Sequence, residues 1–403
     1  MNSVFKFFQK PIFYDKRLIF ILWIGAALVA GLGHLNKANN YQIFKYVFYH
    51  TIEQVNLYAE YPDKYFDSNH YGPLFSIVIA PFALLPDFLG IPLWEMLIAA
   101  TLLVAIYKLP MSWKGKVIIY WIAILEVYLN ATNSQTNTLI AALIIGSFIC
   151  IKSEKDFWAA CFIMLGLFIK LYGIVGLAFF FFSKHKPKLI GYLFLWGIIF
   201  FILPMIISSP QFIVQSYADW YESLMLKNTL NAGSVYQNIS AIGLVQRVSG
   251  LTFSNLIILI PAVILFALQY IPVKEYRNPV YQYGLLASTL IFIVLFSTGS
   301  ENSTYIIAVT GVAIWFLIQK KPLNKYLLAL FVFTLFLTLF ANSDIIPAFI
   351  RREIIRPYSL KALPSLLVWF VLVYQLVTFR RASGKALSSG YLTANETEKR
   401  MNP

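Results

Sequence analysis

Charged residues are scarce in this chain: they make up 12% of its 403 residues, whereas hydrophobic residues make up 59%. A soluble domain carries about 25% charged residues, so the composition excludes a water-soluble globular protein. Each membrane span needs about 20 apolar residues, and the length therefore allows about ten to thirteen spans. We expect an all-α, polytopic integral membrane protein. Residues 1–380 are predicted to form a single transmembrane domain, and residues 381–403 a polar, disordered tail.

Cysteine and histidine are also rare, with 2 and 4 residues respectively. Cys150 and Cys161 lie in or beside apolar segments, which excludes a disulfide framework and indicates a packing role. The four histidines are scattered without a carboxylate at ligand spacing, so we expect neither a metal nor another cofactor. No internal repeat stands out.

Positive charge is not lacking, because the net charge is +14. The lysines and arginines lie in short clusters between apolar runs, which is typical of topology signals and argues against nucleic acid as a partner. This pattern predicts that both termini are cytoplasmic and that three segments share the outer face. Those segments are Gly33 to Gly72, Ser208 to Gly250 and Asn342 to Lys361.

The third outer segment departs from the charge rule, because it carries four cations. Cations on this side are predicted to have an anionic partner, which is either a ligand phosphate or ordinary anionic lipid headgroups. The four residues are Arg351, Arg352, Arg356 and Lys361.

Titratable side chains gather in the first outer segment, which then returns to the membrane at Tyr71. Such groups are costly in so apolar a chain unless water or a ligand meets them. We therefore predict that this long loop forms the acceptor-facing half of an active site. The apolar stretch from Pro73 to Pro86 is too short for an ordinary span, which predicts a re-entrant or interfacial helix.

Five short motifs follow one another along the chain. They are Tyr71-Gly72-Pro73-Leu74-Phe75 with the following Ala80 to Pro86, Asn133-Ser134-Gln135-Thr136-Asn137, Lys170-Leu171-Tyr172, Asn238-Ile239-Ser240, and Ser297-Thr298-Gly299-Ser300-Glu301-Asn302. In this order they resemble glycosyltransferase family 87, the polyprenyl-phosphate-sugar-dependent mannosyltransferases of the membrane GT-C architecture. The resemblance implies a GT-C-type fold, a polyprenyl-phosphate-sugar donor, a glycan or glycolipid acceptor, and a place in the bacterial inner membrane.

One position departs from the family pattern. Members resembling this chain carry an aspartate followed by an aromatic residue just after the first span, with the role of a catalytic base. Here that place reads Asn39-Asn40-Tyr41, and asparagine cannot take a proton at neutral pH. Either another carboxylate in the same loop serves, or this member has a changed substrate or weaker chemistry.

Transfer to a hydroxyl needs a proton acceptor, and three residues of the first loop are candidates. Asp67 is the first choice because it lies four residues before Tyr71, although an aspartate also suits a turn. Glu53 is the second, on the polar side of an amphipathic helix where simple solvation is the alternative. His70 assists the base or is an interfacial hydrogen-bonding residue.

A departing phosphate needs cations. Lys170 and the arginines Arg351, Arg352 and Arg356 are the candidates, with snorkelling to the interface as the alternative for the lysine. Further polar residues are predicted to contact the sugar or the acceptor. These are Asn40, Asn133, Gln135, Asn137, Asn238 and Glu301.

The predicted function is transfer of a sugar, with mannose favoured by the resemblance, from a polyprenyl-phosphate donor to a glycan or glycolipid on the extracytoplasmic face. The alternative is a transporter or flippase of a lipid-linked saccharide. Transporters typically contain internal repeats with broken helices at the midplane, and no such repeat stands out here.

Overall fold

The structure is a computed structural model that describes residues 10–234, 236–341, 343, 345–379, 387 and 390–392. Within these residues the chain forms fifteen α-helices and no β-strand beyond one isolated bridge, which confirms the predicted all-α fold. The helices are α1 (Lys16–Gly33), α2 (Asn39–Glu53), α3 (Phe75–Ala83), α4 (Asp87–Lys108), α5 (Trp113–Thr132), α6 (Asn137–Lys152), α7 (Asp156–Ile169), α8 (Lys186–Ile202), α9 (Pro210–Gly233), α10 (Ala241–Ser249), α11 (Leu256–Leu268), α12 (Pro279–Leu295), α13 (Tyr305–Leu317), α14 (Lys325–Phe340) and α15 (Ala362–Val377).

Two helices form the centre of the bundle. In α12 14 of 17 residues are buried, and in α13 12 of 13, and the two pack along each other. By contrast, only Leu189 and Phe200 are buried in α8, and only Ala262 in α11, although both helices are strongly apolar. Apolar helices that stay exposed on most of their surface are suited to contact with lipid rather than water.

Helix lengths agree with a membrane protein. Four helices are long and apolar enough to cross a membrane, and eight shorter apolar helices accompany them within the described residues. One of the shorter ones is the 3₁₀-helix Leu171–Phe182, whose 12 residues rise about 2 Å each and so reach about 24 Å. The number of complete spans stays a prediction.

The return to the membrane after the first outer loop is a short helix. α3 has nine residues, which at 1.5 Å per residue make about 13.5 Å, less than half of a hydrocarbon core. It packs against α2, and Ser76, Ile79 and Ala83 on it are buried. α2 and α3 together therefore form a helical layer that carries the first loop between them.

The second outer segment, Ser208 to Gly250, contains two helices. Most of it is helical, in the 24-residue α9 and the shorter α10. The start of α9 follows from Ser209, whose hydroxyl accepts a hydrogen bond from the Phe212 N–H, and from Pro210 at the first helical position. Because this segment is rich in polar residues, its sequence does not reveal α9. The polar face of α9 packs on the first loop.

The predicted tail from 381 to 403 lies mostly outside the described residues. At its described positions, Leu387 is buried beside Gln319, and the Tyr391 carbonyl accepts a hydrogen bond from the Ser112 N–H at 2.8 Å. These apolar side chains account for the packing, because they cover the end of the bundle.

One of the four cations of the third outer segment has an internal partner. Lys361 Nζ lies 3.3 Å from Glu126 Oε1 on α5, and both side chains are almost completely buried. The same ammonium donates to the Asn302 carbonyl at 3.1 Å and lies 4.7 Å from the Tyr305 ring centroid. This pair joins α5, α15 and the start of α13.

We expect removal of either partner of this pair to destabilise the protein, because it leaves one buried charge uncompensated, at a cost of about 3 to 5 kcal/mol. Glu126→Gln and Lys361→Met should each lower the midpoint of thermal unfolding in detergent. The double variant should lose less than the sum of the two single losses. Strictly additive losses would show that the two side chains do not stabilise each other.

Candidate active site

A central cavity of about 290 Å³ lies where the first outer loop meets α9 and the turn before α13. It contains two carboxylates and two ammonium groups among its lining side chains: Asp67, Glu301, Lys170 and Lys227. Amide, hydroxyl and aromatic groups form the rest of its polar wall. They come from Asn40, Ser68, His70, Tyr71, Gln135, Tyr172, Asn228, Asn231, Gln237, Ser297 and Thr298.

Lys170 has an extended backbone conformation and lies between α7 and the 3₁₀-helix, at the junction that the sequence indicates. Its Nζ donates a hydrogen bond to Asn137 Oδ1 at 3.3 Å. The ammonium also lies 4.8 Å from the centroid of the Tyr172 ring and 5.9 Å from that of Tyr71. Ring faces and an amide oxygen stabilise the cation and leave it directed at the cavity.

The return motif is attached directly beside this lysine. The Gly72 N–H donates to the Ile169 carbonyl at 3.2 Å. A Cβ atom on Gly72 would lie 2.2 Å from the Phe168 carbonyl oxygen, so only glycine permits this approach. The Tyr71 hydroxyl accepts from Thr136 at 3.1 Å and contacts Gln135 Oε1 at 3.4 Å. Three of the sequence motifs therefore meet at one point.

Asp67 lies on the opposite wall and is paired with Lys227 of α9. Lys227 Nζ donates to both carboxylate oxygens, at 2.9 and 3.2 Å, and the Ser68 N–H donates to Oδ1 at 2.9 Å. His70 Nε2 lies 3.7 Å from Oδ1, and its Nδ1 lies 3.1 Å from the Ser223 hydroxyl. The contact with His70, followed by those with Lys227 and Ser68, holds the pKa of Asp67 well below its usual range.

Glu301 lies in the turn before α13. The Gln237 amide donates to its Oε1 at 2.8 Å, and Thr304 completes a capping box with it. The backbone N–H groups of Asn238 and Ile239 donate to the carbonyls of Thr298 and Ser300. The Asn238 side chain is buried and accepts a hydrogen bond from the Ser240 hydroxyl. Asn238 therefore helps to hold its loop against the turn that contains Glu301.

The cavity brings together six of the predicted site residues: Asn40, Asp67, His70, Gln135, Lys170 and Glu301. Three more support them: Asn137 binds Lys170, the Asn133 carbonyl accepts from the Asn40 amide at 2.7 Å, and Asn238 holds the neighbouring loop. The other four do not line the cavity.

Glu53 is exposed at the end of α2. Arg351 and Arg352 lie on a π-helix, Ile350–Ile355, and Arg356 follows it, with its guanidinium 5.9 Å from the centroid of the Tyr236 ring. Among the described residues that line the central cavity, none is one of these three arginines.

Lys227 is the functional residue that the sequence reasoning missed. Trp220, Ser223 and Lys227 recur at helical spacing, and their side chains contact the first loop. Asn231, one turn further on, lines the cavity. Trp220 donates to the His70 carbonyl at 2.9 Å and packs over Gly72. A helical pattern of polar residues was therefore the available signal.

A second cavity, of about 980 Å³, adjoins the first, and Tyr172, Ser297 and Thr298 line both. Its remaining walls are mainly apolar but also include Arg247 of α10. The apolar side chains come from the 3₁₀-helix, the stretch between α10 and α11, α11 itself and the C-terminal end of α12. They include Ile174, Leu251, Leu256, Leu259, Ile293 and Phe296. The exposed rim residues Leu251 and Leu256 show that this cavity is open at the surface.

The profile of glycosyltransferase family 87 matches residues 69–343, which is more than half of the chain. The chain belongs to this family. The resemblance to family 87 is confirmed, and this family 87 protein is a membrane glycosyltransferase.

No curated protein sequence matches the family 87 chain significantly. Among solved structures, the crystal structure of ArnT from Cupriavidus metallidurans bound to undecaprenyl phosphate is similar. It shares 12% sequence identity with a TM-score of 0.39, and the match covers 90% of this chain and 78% of that one.

Both asparagines in the Asn39-Asn40-Tyr41 stretch of this family 87 protein have structural partners, and Asn40 donates to the Asn133 carbonyl at 2.7 Å. Asn39 donates from Nδ2 to the Phe66 carbonyl at 2.8 Å, and its Oδ1 accepts from the Phe66 N–H at 2.7 Å. This two-way contact fixes the residue before Asp67, which itself adopts a left-handed conformation with φ 69°. Asn39 thus positions the loop that brings a different carboxylate to the cavity.

We expect Lys227→Met to raise the pKa of Asp67 toward its usual value, because the substitution removes both hydrogen bonds from the ammonium. A carboxylate with a raised pKa protonates at higher pH. The acid side of the pH profile of kcat/KM for sugar transfer should therefore move to higher pH. Lys64→Met, an exposed lysine of the same loop, is the matched control. An unmoved profile in Lys227→Met would show that Asp67 does not govern the acid limb.

Proposed function

We propose that this protein transfers a sugar from a polyprenyl-phosphate donor to a hydroxyl of a glycan or glycolipid. Mannose is the favoured sugar, on the strength of the family resemblance. The observation that carries the proposal is the junction of two cavities: a polar one with two carboxylates and two lysines, and a larger apolar one that opens beside it. A lipid-linked sugar has the same two parts.

The proposed site of the donor phosphate is beside Lys170, with Lys227 as the second cation of the cavity. An ammonium held by an amide oxygen and two ring faces can approach a phosphate without losing those contacts. As the bond between the sugar C1 and the phosphate oxygen breaks, the phosphate gains negative charge. Preorganised cations stabilise that charge in the transition state more than in the bound donor.

The apolar cavity is the proposed path of the polyprenyl chain. It shares Tyr172, Ser297 and Thr298 with the central cavity, so a chain lying in it can carry its phosphate across that shared wall. The Tyr172 hydroxyl is hydrogen-bonded to Ser297 at 2.7 Å, which keeps this wall ordered. Burial of isoprene units against these side chains contributes roughly 0.8 kcal/mol per buried CH₂ group.

Asp67 is the proposed general base. The acceptor oxygen forms a bond to the sugar C1 while the phosphate oxygen leaves, and the hydroxyl proton passes to the Asp67 carboxylate. The contacts with His70 and Lys227 keep Asp67 ionised, which is the form that can take a proton, although they also make it a weaker base. His70 acts as a positioning residue beside it. Asn40, Gln135 and Glu301 are proposed to hydrogen-bond the transferred sugar, with Asn133, Asn137 and Asn238 as their supports.

We also propose that the cavity faces the outer side of a bacterial inner membrane and that both termini are cytoplasmic. The support is the distribution of basic clusters in the sequence. In this orientation the arginines of the third outer segment lie on the side of the donor. Binding of the donor phosphate by Arg351, Arg352 and Arg356 stays a sequence-based prediction, and their place outside the central cavity favours contact with lipid headgroups instead.

We predict that Lys170→Gln raises the KM for the polyprenyl-phosphate-sugar donor by about ten- to a hundredfold, because a hydrogen bond to a charged group is worth about 1.5 to 3 kcal/mol. The measurement is transfer of labelled sugar by the purified protein at varied donor concentration, with folding checked by thermal unfolding.

The control for Lys170→Gln is Lys188→Gln, which changes an exposed lysine near the start of α8. A donor KM equal in both variants would remove Lys170 from the donor site. Arg351→Gln combined with Arg356→Gln tests the sequence-based alternative, and a large rise of donor KM there would move the phosphate site to the third outer segment.

We predict that Asp67→Asn lowers turnover by about 10² to 10⁴-fold, the usual contribution of a general base. Donor binding should remain, because asparagine can still accept a hydrogen bond from Lys227. The measurement is single-turnover transfer with donor binding determined separately.

Asp63→Asn, an exposed carboxylate of the same loop, serves as the control for Asp67→Asn. Glu53→Gln tests the other candidate base: a loss there as large as that of Asp67→Asn would place the base at the end of α2. Near-normal turnover in Asp67→Asn would reject Asp67.

A further inference from the structure

A third cavity, of about 440 Å³, lies on the other side of Asp67 from Lys170 and Glu301. Four residues line both this cavity and the central one: Asp67, Ser68, His70 and Lys227. The Asp67–Lys227 pair is thus a thin partition between two spaces. A molecule that fills the third cavity has one end at the proposed base without passing through the central cavity.

The walls of this cavity are formed before any ligand arrives. Asn56 Oδ1 accepts from the N–H groups of Tyr58 and Ala59, at 2.8 and 3.0 Å, and its Nδ2 donates to Asp219 of α9 at 3.2 Å. The Tyr58 hydroxyl donates to the Tyr71 carbonyl at 3.1 Å. These bonds connect the outer loop to α9 and to the return motif, so the cavity and the active site keep a fixed relation.

The charge of the third cavity differs from that of the central one. Three carboxylates line the third cavity but not the central one: Glu60, Asp219 and Glu222. Its lining cation, Lys227, is already paired with Asp67. An entering anion would therefore meet net negative charge, whereas hydroxyl groups find acceptors and an amine finds opposite charge.

We propose that this third cavity is the entrance for the acceptor, and that it takes a polyhydroxyl group that is neutral or carries an amine, rather than an acidic glycan or a lipid phosphate. The inference rests on the proposed function and adds the acceptor's chemical class to it. The acceptor hydroxyl reaches Asp67 from the side of Ser68, gives its proton to the carboxylate, and forms the bond to C1 of the donor sugar. The donor occupies the central and apolar cavities, so both substrates bind through separate openings.

The test uses three alkyl glycosides that differ in charge: an octyl mannoside, an octyl glucosaminide and an octyl glucuronide. Transfer from labelled donor should favour the neutral and amine-bearing acceptors. We expect kcat/KM for the glucuronide to be about tenfold lower than for either of them. Glu60→Lys combined with Glu222→Lys should reduce this discrimination by about tenfold and leave the donor KM unchanged. Asp63→Lys reverses an exposed charge of the same loop outside the cavity and should leave the discrimination as it is.

Binding of the same glycosides is measured without donor by tryptophan fluorescence, so the selectivity is read independently of catalysis. Selective binding that the double reversal abolishes supports the entrance. Selective binding without any cleavage of the donor would count against the proposed function and leave the entrance standing. Equal binding of all three glycosides, absence of binding, or a discrimination that the double reversal does not alter would overturn the proposal.

Discussion

In a hydrocarbon surrounding, a charge is stable only beside an opposite charge, a hydrogen-bonding partner or water. This requirement organises the polar residues of this protein. The Glu126–Lys361 pair meets it inside the bundle, where the ammonium also donates a hydrogen bond to the Asn302 carbonyl, one residue from Glu301. Asp67 and Lys227 meet it at the rim. The active-site charges are therefore arranged by the same rule that stabilises the fold.

Asn39 holds part of the first outer loop in place. An asparagine side chain offers both a donor and an acceptor, and Asn39 uses both on the backbone of Phe66. An aspartate there would place a carboxylate oxygen against the Phe66 carbonyl. The two-way contact of Asn39 therefore fixes the residue before Asp67, whose backbone takes a left-handed conformation.

Three cavities meet around two side-chain contacts. Tyr172 and Ser297 separate the apolar cavity from the central one, and Asp67 and Lys227 separate the central cavity from the acidic one. A lipid-linked donor and a hydrophilic acceptor differ in the solvent that each prefers. In the proposed arrangement, separate openings of different polarity let both substrates approach one reacting centre, and water need not follow the lipid chain.

The sequence by itself determined the membrane class, the all-α fold and the family, since each depends on composition, apolar length or motif order. It also located Lys170, Asp67 and Glu301, because charges in an apolar chain are rare enough to stand out. It missed Lys227, because the polar residues of α9 do not reveal a helix until its partners are known, and it did not identify Glu126 as the anionic partner of Lys361. Only the tertiary structure decided which charges are paired, that the three arginines lie outside the cavity, and that Asn39 holds the residue before Asp67. Pairing of this kind depends on distances between residues far apart in the chain, and no local pattern encodes those distances.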